Sequence, residues 1–183
     1  PPALALGAGA TFVARTIDVE GAHMGGVIKA ASEHKGSVFV EVFQNCPVFN
    51  DGAYSFLTEK AVKADAQLRM EHGKPLVFGK DNRKGIRFNP TTAELEVVTL
   101  GENGVTEKNL LVHDAHREDP TIAFMLANLS AKPGFPTPIG IFRDVRKPTA
   151  DEITWEIIGK AKAAKGEVDL KKFLASGDTW TIK

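Results

Sequence analysis

Apolar residues come in short runs along this chain, and the spacing of each run predicts the element that carries it. "PALALGAGA" begins with good helix formers and ends in glycines, which predicts a short N-terminal helix stopped at residues 7 to 10. "TFVART" alternates and predicts a strand of about six residues. "AHMGGVIKAASEHKG" predicts a helix with Ala22, Val27, Ala30 and Ala31 on its buried stripe. Gly36 suits a left-handed C-cap, and His34 and Lys35 stand where cations favour the helix dipole. "SVFVEVFQ" then predicts a buried strand. Helix, strand, helix, strand is the order of a layered α/β domain.

From Ala53 to Leu68 the residues are mixed in polarity and predict a helix. Gly73 to Leu100 changes character: "KPLVFG", "KGIRFNP" and "AELEVVTL" predict a small β arm, with Asn89-Pro90-Thr91-Thr92 as the turn of a hairpin. "NLLVHD" reads as another short strand. "DPTIAFMLANLS" predicts a helix with Asp119 as N-cap and Pro120 in the first helical position. Pro133, Pro136 and Pro138 mark a turn-rich link, and "PIGIFRDV" is a strand. "TADEITWEIIGKAKAAKG" predicts an amphipathic helix whose Thr149 and Glu152 form a capping box. "DLKKFLASGDTWTIK" predicts a short helix and a β-like docking tail anchored by Trp180.

Composition narrows the function only by exclusion. Of 183 residues 43% are hydrophobic, enough for one globular core with a small annex. Lys+Arg and Asp+Glu are both 23, so no global field favours nucleic acid or an anionic membrane. No apolar run approaches the ~20 residues of a membrane helix. One cysteine is the usage of a reducing compartment, the cytoplasm.

That cysteine, Cys46 in "QNCPVFNDG", leaves a strand for a loop, where open α/β sheets place ligands. Pro47 stiffens the turn. The local chemistry leaves three readings: a packed, inert thiol in a partner-binding module, a metal ligand, or a nucleophile served by one of His23, His34, His72, His113 and His116. "VHDAHRED" offers His113 and His116 as a metal pair, but a solvated turn is the favoured reading because no third ligand accompanies them. "GKDNRKG" lacks phosphate-loop spacing and reads as a charged hairpin connection. "GAGA" at 7 to 10 reads as small residues for close packing.

"LALGAGATFVART", "EHKGSVFVEVFQNCPVFNDGAYS", "EHGKPLVFG", "LLVHDAH", "TPIGIFRDV" and "GDTW" together resemble the β subunit of 2-oxoacid:ferredoxin oxidoreductases, most closely the 2-oxoglutarate type. The resemblance runs over nearly the whole chain in one order. It implies an α/β fold: residues 1–68 as the C-terminal portion of a thiamine diphosphate-binding doubly wound domain, and 69–183 as a C-terminal extension with a small β hairpin and helices. It implies oxidative decarboxylation of a 2-oxoacid to an acyl-CoA and carbon dioxide, with thiamine diphosphate, magnesium and a 4Fe–4S cluster as cofactors. The implied partners are an α subunit, ferredoxin, the 2-oxoacid and coenzyme A. Cys46 falls where the family places the fourth cysteine ligand of the cluster; Arg15 and Asn50 are neighbours to which the resemblance assigns no role. The family's Gly-Asp-Gly thiamine motif and Cys-x-x-Cys pair are missing from this sequence. The chain is therefore expected to be the C-terminal part of a longer subunit and inactive alone.

Overall fold

The computed structural model describes residues 1–178 together with Trp180 and Ile182. Its centre is β1 (Phe12–Ile17), buried at all six positions because strands flank it and helices cover both faces. Phe12 and Ala14 point to one face, against Val27 of α2 (Gly21–Glu33). Val13 points to the other, into a larger cluster with Leu6 of α1 (Pro2–Gly7), Leu126 of α5 (Thr121–Ala127) and Phe142 of β7 (Thr137–Asp144). Burying a side chain such as Phe12 or Phe142 stabilises by roughly 2–3 kcal/mol, so these two contacts are among the chief ties between sheet and helices.

The four-stranded sheet runs β2-β1-β7-β3, with β2 at Val38–Phe43 and β3 at Gln67–Met70. β1 and β2 are parallel, β7 is antiparallel to β1, and β3 is parallel to β7. The α/β class holds, with a mixed sheet. Gly140 of β7 has φ +118, and a Cβ there would stand 2.7 Å from the Met70 carbonyl oxygen, so β7 and β3 pair only because this residue has no side chain. A second, antiparallel sheet of β4 (Val77–Phe78), β5 (Lys84–Asn89) and β6 (Glu94–Thr99) forms the expected β arm and hairpin. Leu76, Phe78, Ile86 and Leu95 join it to the larger cluster.

Six expectations are corrected. Ala53 to Leu68 is not one helix but two single turns, α3 (Ser55–Thr58) and α4 (Lys63–Ala66), before β3 takes Gln67 and Leu68 into the sheet beside Thr137 and Pro138. β2 is an edge strand, half-exposed along its length. α2 ends at Glu33, before Gly36, because His34 turns inward to Asp144 Oδ1 and Thr11 Oγ1, both at 2.8 Å. "NLLVHD" makes backbone hydrogen bonds through Leu111 and His113 but only one bridge, Val112 to Pro75. Pro138 lies inside β7, not in a link, and Pro120 is the cap position of α5, with Asp119 Oδ1 accepting from the Thr121 N–H at 2.7 Å.

Contacts divide the chain into Pro1–Lys147 and Pro148–Lys183. β7, although it comes after residue 68 in the chain, pairs with β1. The second unit holds α6 (Ala150–Lys165), with the expected Thr149–Glu152 capping box, and α7 (Leu170–Leu174). The predicted β-like tail falls partly outside the described residues, and Trp180 within it is exposed.

Candidate functional site at the end of β2

β1 and β2 run in the same direction, so their carboxyl ends share one edge of the sheet. Cys46 sits three residues past that end, half-buried, and belongs to none of the apolar clusters. The loop is held on both sides. Asp18, just past β1, accepts the Asn45 backbone N–H at 3.3 Å and the Val19 N–H at 2.7 Å. The Asn45 amide donates to Asp51 Oδ1 at 2.9 Å and accepts the Gly52 N–H at 2.8 Å. The Asn50 N–H donates to the Cys46 carbonyl at 2.9 Å and closes the turn around Pro47.

The backbone amides of Phe49, then Val48, and more weakly Asn50, hold the Cys46 thiol below the ordinary cysteine pKa. Amide dipoles aimed at sulfur favour the thiolate, the form that ligates metal or attacks an electrophile. Val48 and Phe49 are exposed, Phe49 at 89%, so the thiol stands beside an apolar rim.

Arg15 of β1 is 3% exposed. Its Nε donates to Glu41 Oε2 at 2.6 Å and one terminal nitrogen donates to the Pro138 carbonyl at 3.3 Å. The guanidinium also lies 5.0 Å from the Phe43 ring and 5.4 Å from that of Phe142. Arg15 and Glu41 are direct partners in the β1–β2 register. Arg15 is thus tied to Glu41 across the β1–β2 pair, and Phe43, the last residue of β2, is stacked on Tyr54 at 4.7 Å.

The five histidines have partners elsewhere, and none hydrogen-bonds Cys46. His23 pairs with Thr16 Oγ1 at 2.8 Å. His113, expected in a solvated turn, is 2% exposed and donates Nε2–H to the Ile141 carbonyl at 2.7 Å. His116 packs not on His113 but against His72, the two rings tilted with centroids 4.3 Å apart. Together with His23, these two line a cavity of about 420 Å³ between α2 and β7. Periodicity could not have found that grouping, since it joins residues from three distant segments. Among the described residues no group of three His, Cys, Asp or Glu side chains could hold a metal ion. No described helix is long and apolar enough to cross a membrane. "GKDNRKG" is the charged β4–β5 connection, with Lys84 paired to Asp65 Oδ1 at 2.7 Å.

No family model matches the chain. Over its full length it is 35% identical to the 2-oxoglutarate oxidoreductase subunit KorB of Mycobacterium tuberculosis, of which it spans 48%. A 51-residue stretch, 28% of the chain and 17% of the relative, is 45% identical to the 2-oxoacid:ferredoxin oxidoreductase subunit beta of Saccharolobus solfataricus. In fold, 98% of the chain superposes on 44% of a chain of the 2-oxoglutarate:ferredoxin oxidoreductase from Magnetococcus marinus, solved with 2-oxoglutarate, coenzyme A and succinyl-CoA bound, at TM-score 0.58 and 21% identity. The α/β layer with a strand-end thiol is therefore related to the β subunits of 2-oxoacid:ferredoxin oxidoreductases. The chain spans about half the length of its full-length curated match. That match is of the 2-oxoglutarate type, as the resemblance in the sequence implied.

Proposed function

We propose that this chain is the C-terminal part of the β subunit of a cytoplasmic 2-oxoglutarate:ferredoxin oxidoreductase, and that Cys46 is one of four thiolate ligands of its 4Fe–4S cluster. The observation that carries the reading is a half-buried thiol just past the end of β2, outside the apolar clusters, in a chain similar along its whole length to a KorB subunit.

The donor set fits one ligand position. A four-iron cluster takes four thiolates and this sequence has one cysteine, so the other three belong to polypeptide outside it. No residue here is assigned to thiamine diphosphate or magnesium, because the diphosphate motif of the family is missing from this sequence. Cys46 would hold one iron of the cluster, which when bound would supply one-electron transfer chemistry. Residues of this chain do the placing. The Phe49, Val48 and Asn50 amides neutralise part of the sulfur's negative charge, which raises the potential of any iron it holds. Asn45 and Asp18 fix the loop to the ends of two strands. Val48 and Phe49 supply an apolar cover that limits water at the iron.

In this assignment residues 1–68 belong to the thiamine diphosphate-binding domain and 69–183 to the extension, with β7 returning to complete the sheet. The whole enzyme oxidatively decarboxylates 2-oxoglutarate to its acyl-CoA and carbon dioxide, with an α subunit and ferredoxin as partners. The test is ferredoxin reduction by the complete β subunit with its α subunit. Turnover that needs both coenzyme A and 2-oxoglutarate is expected, with pyruvate a poor substitute and the isolated 183-residue chain inactive. Turnover by the isolated chain, or none by the complete enzyme with any 2-oxoacid, contradicts the reading.

A further inference from the structure

The cavity lined by His23, His72 and His116 has no part in the redox reading. Backbone groups set the tautomers of two of its rings. The Ala115 N–H can only donate, and at 3.3 Å it donates to His72 Nδ1, so the neutral ring carries its proton on Nε2. The Asp144 carbonyl can only accept, and at 2.6 Å it takes the proton of His116 Nδ1, so Nε2 of that ring keeps its lone pair. The two rings stand 4.3 Å apart, and the cavity wall therefore offers one donor, His72 Nε2–H, near one acceptor, His116 Nε2. Neither atom has a partner among the described residues. Asp144 lines the same cavity and adds a second acceptor: Oδ1 holds His34 Nδ1 at 2.8 Å, and Oδ2 has no partner among the described residues.

Much of the remaining wall is apolar or bare, with Val27, Met70 and Gly26. Gly26 lies inside α2, where glycine weakens a helix, and a Cβ there would meet nothing within 4 Å. Packing does not call for this glycine; its effect is to leave the cavity open on the α2 side. We propose that the cavity binds a planar aromatic ligand with an amino group beside an acceptor atom, the edge shared by aromatic carboxamides and amino-substituted nitrogen heterocycles. The ligand's acceptor takes the His72 Nε2–H, and its two amino protons go to His116 Nε2 and Asp144 Oδ2. Its ring lies against Val27, Met70 and the bare backbone of Gly26. A carboxylate is refused, because it brings no proton to His116 and faces the Asp144 charge. The inference goes beyond the redox reading and does not depend on it.

Histidine-detected nitrogen NMR of the 183-residue chain tests it, with benzamide and adenine as probes and benzoate as the control. Before any probe is added, His72 is expected in its Nε2–H form and His116 in its Nδ1–H form. One probe or both then shift the two rings and the Met70 methyl, in roughly the millimolar range for molecules this small. Benzamide does so if the site is built for an amide, adenine if it is built for a heterocycle, and benzoate does not. His116→Phe keeps a ring in place but removes the acceptor, and weakens binding about tenfold. Gly26→Leu fills the cavity and abolishes binding, while its urea midpoint stays level or rises, which separates the loss from unfolding. The opposite tautomers, benzoate bound as tightly as benzamide, shifts that survive Gly26→Leu, or no shift with either probe overturns the proposal.

Discussion

Replacing Arg15 by Met keeps most of the side-chain volume and removes the charge that ties β2 to β1. The Glu41 carboxylate, only 13% exposed, is left without its 2.6 Å partner, and the Pro138 carbonyl loses a donor. Breaking a buried pair from one side costs about 3–5 kcal/mol. Glu41 keeps some access to water, which places Arg15→Met near the lower end, about 3 kcal/mol. With a urea dependence of about 2 kcal/mol per molar, the unfolding midpoint falls by about 1.5 M. Glu41→Met is at least as costly, because it strands a guanidinium that is buried deeper than its partner. The double variant recovers much of the loss, since no unpaired charge remains, and the cycle gives a coupling of about 2 kcal/mol or more. Urea denaturation of the four proteins supplies all three numbers. Single variants that cost under about 1 kcal/mol, or effects that simply add, refute the view that this pair locks the β1–β2 register.

Gly140→Ala forces a Cβ to within 2.7 Å of the Met70 carbonyl at φ +118 and is expected to destabilise by about 2–4 kcal/mol, read by the same denaturation. His113 and His23 have pKa values lowered chiefly by burial, so below about pH 6.5 the unfolded chain takes up protons that the fold does not. Stability is therefore level above that pH and falls beneath it, by up to about 1.4 kcal/mol per pH unit per group, and His113→Asn flattens the fall. Burial alone would raise the Glu20 carboxyl, but hydrogen bonds from Lys63 and Arg69 outweigh it and hold the group at about 2. Its contribution is present above pH 4.5 and fades as pH falls toward 2, and Glu20→Gln removes it at neutral pH. The half-exposed partners limit that loss to about 1–2 kcal/mol in a thermal or urea melt.

Local pattern was enough for the strands around the site. The apolar runs of β1 and β2 were legible because strands near a core need β-branched and aromatic residues wherever they pair. The capping box of α6 was legible because its two partners are three residues apart. What escaped was set by distant partners. Gln67 and Leu68 are polar-flanked and look helical, yet Thr137 and Pro138, some seventy residues later, pair them into β3. His34 suits a helix end until Asp144 turns it inward. β2 carries enough apolar residues for a central strand and lies at the edge. For the site, the sequence located Cys46 at a strand end, and the resemblance, not the local chemistry, offered it iron. The amides that lower the thiol's pKa, those of Phe49, Val48 and Asn50, belong to a turn whose backbone conformation leaves no mark in composition. Arg15 stood out as a neighbour, but its tie to Glu41 needed the register of two strands to be seen.

Iron content bears most directly on whether Cys46 is a cluster ligand. In the complete β subunit paired with its α subunit, Cys46→Ser is expected to lower iron and acid-labile sulfide and to alter or erase the electron paramagnetic resonance signal of the reduced cluster. Thiamine diphosphate occupancy, measured on the same sample, stays near that of the parent. Unchanged iron with an unchanged signal would mean that this sulfur holds no metal, and the account of the loop would fail with it.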